Sequence, residues 1–109
     1  MPSFDDFKKI SIRVGTVIRI ENFPEARKPA YKMWIDFGPY GVKTSSAQIT
    51  DHYKKEEIIG KQLIAVTNLP PKQVGSFQSE VLTLGAILPD DTVILLFPAA
   101  RVPDGSPVE

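Results

Sequence analysis

Cysteine is missing from this chain of 109 residues, which removes disulfides and thiolate chemistry and agrees with a reducing, cytoplasmic setting. Histidine occurs once, as His52 among Asp51, Tyr53 and Lys54, so no pair of histidines or cysteines stands at metal-ligand spacing. Net charge is absent too. Thirteen basic and thirteen acidic residues cancel, which takes away the strong positive field of a dedicated nucleic-acid binder. No apolar run approaches the roughly 20 residues that cross a bilayer. The opening MPSFDDFKKI places acids and lysines where an export signal has its apolar core, so membrane insertion is not expected. Ser45 and Ser46 lie outside any nucleophile-elbow pattern, and the glycines are too scattered to cradle a phosphate. Neither a catalytic residue nor a cofactor is expected.

What is present suffices for one core. With 42% hydrophobic residues, residues 1–109 fit a single domain. Its organising stretch is Lys61–Gly85. The apolar runs Leu63–Val66 and Val81–Leu84 read as strands buried on both faces, joined by a stiff polar loop with Asn68, Pro70, Pro71, Lys72 and Gly75. Upstream, Phe4 and Phe7 with Asp5, Asp6, Lys8 and Lys9 read as a short helix capped by Ser3. Ile10, Ile12, Val14, Ile18 and Ile20 then alternate as a strand, in which Gly15 suggests a bulge or bend. The proline-bearing segment NFPEARKPA reads as a loop. A strand follows, with Met33, Ile35 and Phe37 inward and Lys32, Trp34 and Asp36 outward, and Gly38, Pro39 and Gly41 turn it into Val42–Ser46. Gln48–Gly60 reads as helical, with Thr50 as a cap and Gly60 as the stop. Val93–Phe97 reads as a last buried strand before an irregular proline-rich tail. These elements predict an all-β, five-stranded Greek-key barrel of the OB type with short helices and terminal extensions; a small open sheet is the alternative.

The distribution of charge and rings is less bland than their totals. Residues 26–55 hold Arg27, Lys28, Lys32, Lys43, Lys54 and Lys55 against Asp36 and Asp51. Tyr31, Lys32, Trp34, Tyr40 and Lys43 lie on or beside the second and third strands, the face on which OB barrels stack bases and meet phosphates. Such a groove also suits an extended peptide across Tyr31, Trp34 and Phe77. Trp34 alternatively covers apolar surface or joins a subunit contact. Phe4 and Phe7 at one end, and Val102 and Pro103 at the other, are apolar groups in segments too short to build their own core. They are the candidate contacts of a homodimer.

Six segments in order carry a resemblance: IRVG at Ile12–Gly15, ENFPEA at Glu21–Ala26, IDFG at Ile35–Gly38, SSAQIT at Ser45–Thr50, NLPPKQVGSFQSEVLTLG at Asn68–Gly85 and PDG at Pro103–Gly105. Together they resemble the tRNA-binding OB-domain family over nearly the whole chain, and most narrowly its CsaA-like secretion chaperones. Many tRNA-binding relatives read SEGM where this chain has Ser79, Glu80, Val81 and Leu82, and Ser-Gly at Ser46-Ala47, which favours the CsaA-like branch. The resemblance implies an OB barrel assembled as a homodimer that binds unfolded or precursor polypeptides, or alternatively tRNA. A tRNA would use Arg27, Lys28, Lys32, Lys43 and Lys72 with the motif residues Ser45, Ser46, Asn68, Ser79 and Glu80.

Overall fold

The computed structural model describes all residues, Met1–Glu109. Helix α1, Phe4–Lys8, begins at a reciprocal cap: the Ser3 hydroxyl accepts from the Asp6 amide at 3.1 Å, and the Asp6 carboxylate accepts from the Ser3 amide at 2.9 Å. Those hydrogen bonds, the backbone one foremost, hold the Asp6 carboxyl below its ordinary value of 3.8. At five residues the helix is too short to persist alone. Asn68 ties down its exit, donating to the Lys9 carbonyl at 2.7 Å and accepting from the Ser11 amide at 2.8 Å.

Strand β1, Ile12–Asn22, is the hub of the sheet. It runs antiparallel to β2, Tyr31–Asp36, on one side and to β4, Gln62–Val66, on the other. Its register slips between Val17 and Arg19. This bulge inverts the alternation, so that Val17 is fully buried while Ile18 is 50% exposed, against the simple period-two reading. Gly15 is not where the register breaks. A Cβ there would lie 2.6 Å from Ile35 Cγ2 and 2.8 Å from the Phe37 ring, so glycine is required for close approach across the core.

In β2 the side chains of Tyr31, Met33 and Ile35 point inward, and Lys32, Trp34 and Asp36 outward. A 3-10 turn at Gly38–Tyr40 leads to β3, Val42–Ala47. Of the helical candidate over 48–60 only the later turn forms, as α2, Lys55–Ile58, followed by Gly60 at φ +82°. Thr50 sits in a turn, because Ile49 is buried as an anchor and Tyr53, partly buried on the core, spends its hydroxyl accepting from the Leu95 amide.

After β4 the polar loop is itself structured. Strands β5, Lys72–Val74, and β6, Phe77–Ser79, form a separate two-stranded ribbon around Gly75. The run Val81–Leu84 yields only the two-residue β7, Leu82–Thr83, and Leu82 is 51% exposed, so it is not a strand buried on both faces. The sheet order is β3-β2-β1-β4-β7. The amides of Glu80 and Val81 donate to the Thr44 carbonyl at 2.8 and 3.1 Å, and Ser45 and Thr83 share a hydroxyl hydrogen bond at 2.9 Å, which brings the ends of the sheet together. The result is the expected all-β OB-type barrel. Its core gathers Val17, Met33, Ile35, Phe37, Ile58 and Leu63.

Beyond the barrel, β8, Gly85–Ile87, and β9, Val93–Leu95, form a second hairpin. Of the run Val93–Phe97 only Leu95 is buried; Ile94, Leu96 and Phe97 face outward because the hairpin has the barrel on one side alone. His52 lies exposed and meets the Thr92 hydroxyl at 2.7 Å. The tail runs irregularly over the surface before β10, Pro107–Val108, pairs with β1. Gln62 holds both backbone groups of Val102, donating to its carbonyl at 2.7 Å and accepting from its amide at 3.0 Å. Asp104 accepts from Thr16 at 2.6 Å and from Gln62 at 3.1 Å. No helix is long and apolar enough to cross a membrane.

Candidate binding cleft

The outer face of β1 and β2 carries a stack of rings and cations. The Arg19 guanidinium lies 4.5 Å from the Trp34 ring centroid and pairs with Glu21. Trp34 meets Phe77 edge to face at 5.9 Å, and Phe77 meets Phe23 in the same manner at 5.5 Å. The Lys32 ammonium sits 5.2 Å from the Phe23 centroid and 5.7 Å from that of Phe77. Edge-to-face pairs contribute about 0.5–1.5 kcal/mol each and an exposed cation–π contact about 0.5–1, so this stack fixes the β5–β6 ribbon against the barrel.

Beside the stack opens a cleft of 610 Å³, between the loop with Arg27 and Lys28, the end of β3 at Ser46 and Gln48, and the ribbon at Lys72 and Gln73. Three cations face it against one acid, Glu25. The stack and the cleft adjoin because Lys32 is paired in register with Ser46.

The structure thus gathers Arg27, Lys28, Lys32, Ser46, Lys72, Trp34 and Phe77 in one region and disperses the other expected contacts. Tyr31 does not belong to a peptide-binding surface. It is buried on the core side of β2, its hydroxyl donates to the Tyr53 carbonyl at 2.7 Å, and desolvation, then Glu56 and Glu57, push its pKa above the ordinary 10.0. Ser45 is fully buried against Thr83 and cannot reach a ligand. Lys43 is paired with inward Ile35 and shares the alternation of Ser45, so it lies off the face of Lys32. Tyr40 leaves the ring face as well, lying under the Arg13 guanidinium at 3.8 Å.

Asn68, Ser79 and Glu80 hold the fold together. Asn68 clamps the α1 exit, the Ser79 hydroxyl accepts from the Ser46 amide at 3.0 Å, and the Glu80 carboxylate accepts from the Thr44 amide and hydroxyl at 3.1 and 3.0 Å. The two halves of the expected dimer contact also part company. Val102 is tied at Gln62, opposite Thr16, whereas Phe4 and Phe7 share a groove of 470 Å³ with Ile12, Pro107 and Val108. Sequence reasoning missed Phe23, the ring beneath the stack. Its signal was an aromatic residue directly before a proline in an otherwise polar loop.

A nearly closed barrel with a ring-and-cation cleft between the loop after β1 and the ribbon after β4 has the arrangement with which OB folds bind extended chains. The family model described as "Putative tRNA binding domain" matches residues 12–107, and the chain belongs to that family. Its fold is that of the crystal structure of chaperone CsaA from Bacillus anthracis, with TM-score 0.96 and 48% identity over 100% of this chain and 99% of that one. The CsaA chaperone protein from Picrophilus torridus is similar at TM-score 0.93 and 52% identity, with both chains covered completely. A curated relative, the methionine–tRNA ligase of Porphyromonas gingivalis, is 40% identical over 107 residues. That match takes in 98% of this chain and spans about 15% of the ligase.

Proposed function

We propose that the protein is a non-enzymatic, cytoplasmic chaperone of CsaA type that reversibly holds extended segments of unfolded or precursor polypeptides, with a role linked to protein secretion. The observation that carries this reading is the likeness, end to end in both chains, to CsaA chaperones at 48 and 52% identity. Half-buried Trp34 supplies apolar surface for client side chains in the region that Phe77 covers, and the adjoining cleft supplies polar partners for a client backbone through Ser46, Gln48 and Gln73. Covering apolar surface returns roughly 25 cal/mol per Å², less the cost of ordering the client, so affinities are micromolar and depend little on salt. The working unit is a homodimer. Phe4 and Phe7, 76% and 43% exposed, favour burial against a second copy.

A second reading, tRNA binding, has its own support in the family match and in Arg27, Lys28 and Lys72 around the cleft. Binding of labelled tRNA and of an unfolded polypeptide, measured side by side across a salt series, separates the two. The chaperone reading expects salt-tolerant polypeptide binding that Trp34→Ser removes. Tight tRNA binding that falls steeply with salt, without polypeptide binding, overturns it.

A further inference from the structure

The geometry points to Phe77 as an internal plug: it occupies the seat that an aromatic side chain of the bound polypeptide takes when the β5–β6 ribbon lifts. This inference rests on the polypeptide-binding reading and refines it. The seat has three walls, the edges and faces of Phe23 and Trp34 and the ammonium of Lys32, all meeting one ring that belongs to the ribbon. No hydrogen bond joins residues 72–77 to the barrel; within the ribbon they bond only to one another or to β6. The barrel holds the ribbon only along the later half of β6, where Thr44 donates to the Gln78 carbonyl at 2.6 Å and the Ser46 amide donates to Ser79 at the base. Residues 72–77 therefore rest on the barrel by packing alone, with Phe77 making the ring contacts and Gly75 lying near the Glu25 side chain. Opening the tip leaves the base bonds intact and uncovers Phe23 and Trp34 together.

The guest must be aromatic. Lys32 offers its charge to a ring face, and that attraction has no counterpart for leucine or valine. A client ring replaces Phe77 with like geometry, while the client backbone continues into the polar cleft. Closed, the plug keeps the Phe23 ring and part of Trp34 out of water. Its presence lowers apparent affinity by the fraction of time that the ribbon is open.

Trp34 is the only tryptophan, so its emission reports on the seat directly. The probes are a short Gly/Ser peptide carrying one phenylalanine, its leucine twin, and an oligouridylate. Phe77→Ala is expected to bind the phenylalanine peptide about tenfold more tightly than the parent, as for a ribbon open about a tenth of the time. The leucine twin should gain far less. Phe77 lies outside the core cluster, so the barrel is retained, which a circular dichroism melt verifies. Lys32→Met serves as a second variant and should erase the preference for phenylalanine over leucine.

Weaker or unchanged peptide binding by Phe77→Ala, with the parent still binding, overturns the plug and leaves the polypeptide reading standing. A gain for oligouridylate instead of peptide assigns the seat to a base and overturns the proposal. Failure of parent and variant alike to bind either peptide or an unfolded protein overturns the underlying reading as well.

Discussion

Alanine at Gly15 tests the packing of the barrel at its tightest point. The added methyl would stand 2.6 Å from Ile35 Cγ2 and 2.8 Å from two carbons of the Phe37 ring, both side chains being fully buried. Carbon atoms rest at about 3.5–4.0 Å, so each neighbour must retreat by about 1 Å in a core packed as densely as an organic crystal. The backbone cannot yield instead, because β1 is held by β4 at Gly15↔Leu63 and by β2 at Val17↔Ile35. Overpacking of this kind costs about 1–3 kcal/mol. The lower entropy of the unfolded alanine chain returns about 0.4–1 kcal/mol, leaving a net loss of about 1–2. At about 2.1 cal/mol/K per residue this chain unfolds with an entropy of about 0.23 kcal/mol/K, so the midpoint should fall by about 4–9 °C. Thermal melts of Gly15→Ala by circular dichroism measure this, and Phe37→Leu in the same chain should lose less than the sum of the two single changes. A midpoint equal to or above the parent's would refute close approach as the reason for glycine here.

Phe7→Asp should shift the protein to monomer in sedimentation at micromolar concentration, and an intact dimer would remove α1 from the interface. Changing Arg27, Lys28 and Lys72 together to glutamine should weaken any RNA binding and lower the slope of log K against log salt by about 2–3, near 0.7–0.9 for each lost phosphate contact; an unchanged slope would place the RNA elsewhere. Tyr31 has a folded pKa raised above 10.0, so the folded state keeps a proton that the unfolded chain gives up. Its contribution is whole below pH 10.0 and is lost as pH rises through the folded value. Denaturant melts of Tyr31→Phe across alkaline pH should show a shallower decline than the parent, and parallel declines would contradict this.

Much of the barrel was legible because local signals agreed with the tertiary outcome. Ser3 caps, Gly60 stops, and Met33 and Ile35 alternate inward as their spacing implies. Where reading failed, the cause was a non-local partner. Ile18 looks inward until the slip between Val17 and Arg19 reverses the strand. Leu82 and Ile94 look like core residues, yet one lies in a two-residue strand and the other on a hairpin with barrel on one side only. At the cleft, charge clustering pointed to Arg27 and Lys28, and the polar loop after β4 to Lys72. The polar residues have fold contacts that the sequence does not show: Ser45 is buried against the Thr83 hydroxyl, Asn68 bonds the backbone of Lys9 and Ser11, and Glu80 bonds that of Thr44.

The pairing of β10 with the start of β1 has a consequence for how such a domain is used. Arg13 donates to the Gly105 carbonyl across 92 residues of sequence, and Phe4 and Phe7 border the same groove as Val108 and Glu109. The two ends of the chain therefore leave the barrel side by side, away from the ribbon and its cleft. A unit whose ends meet in this way can be spliced into, or appended to, a longer polypeptide with little distortion, and it is a natural candidate for circular permutation. A similar segment in fact stands as about 15% of a much larger ligase. Joining the ends by a short linker and opening the chain at the tip of the β8–β9 hairpin should leave the cleft assembled.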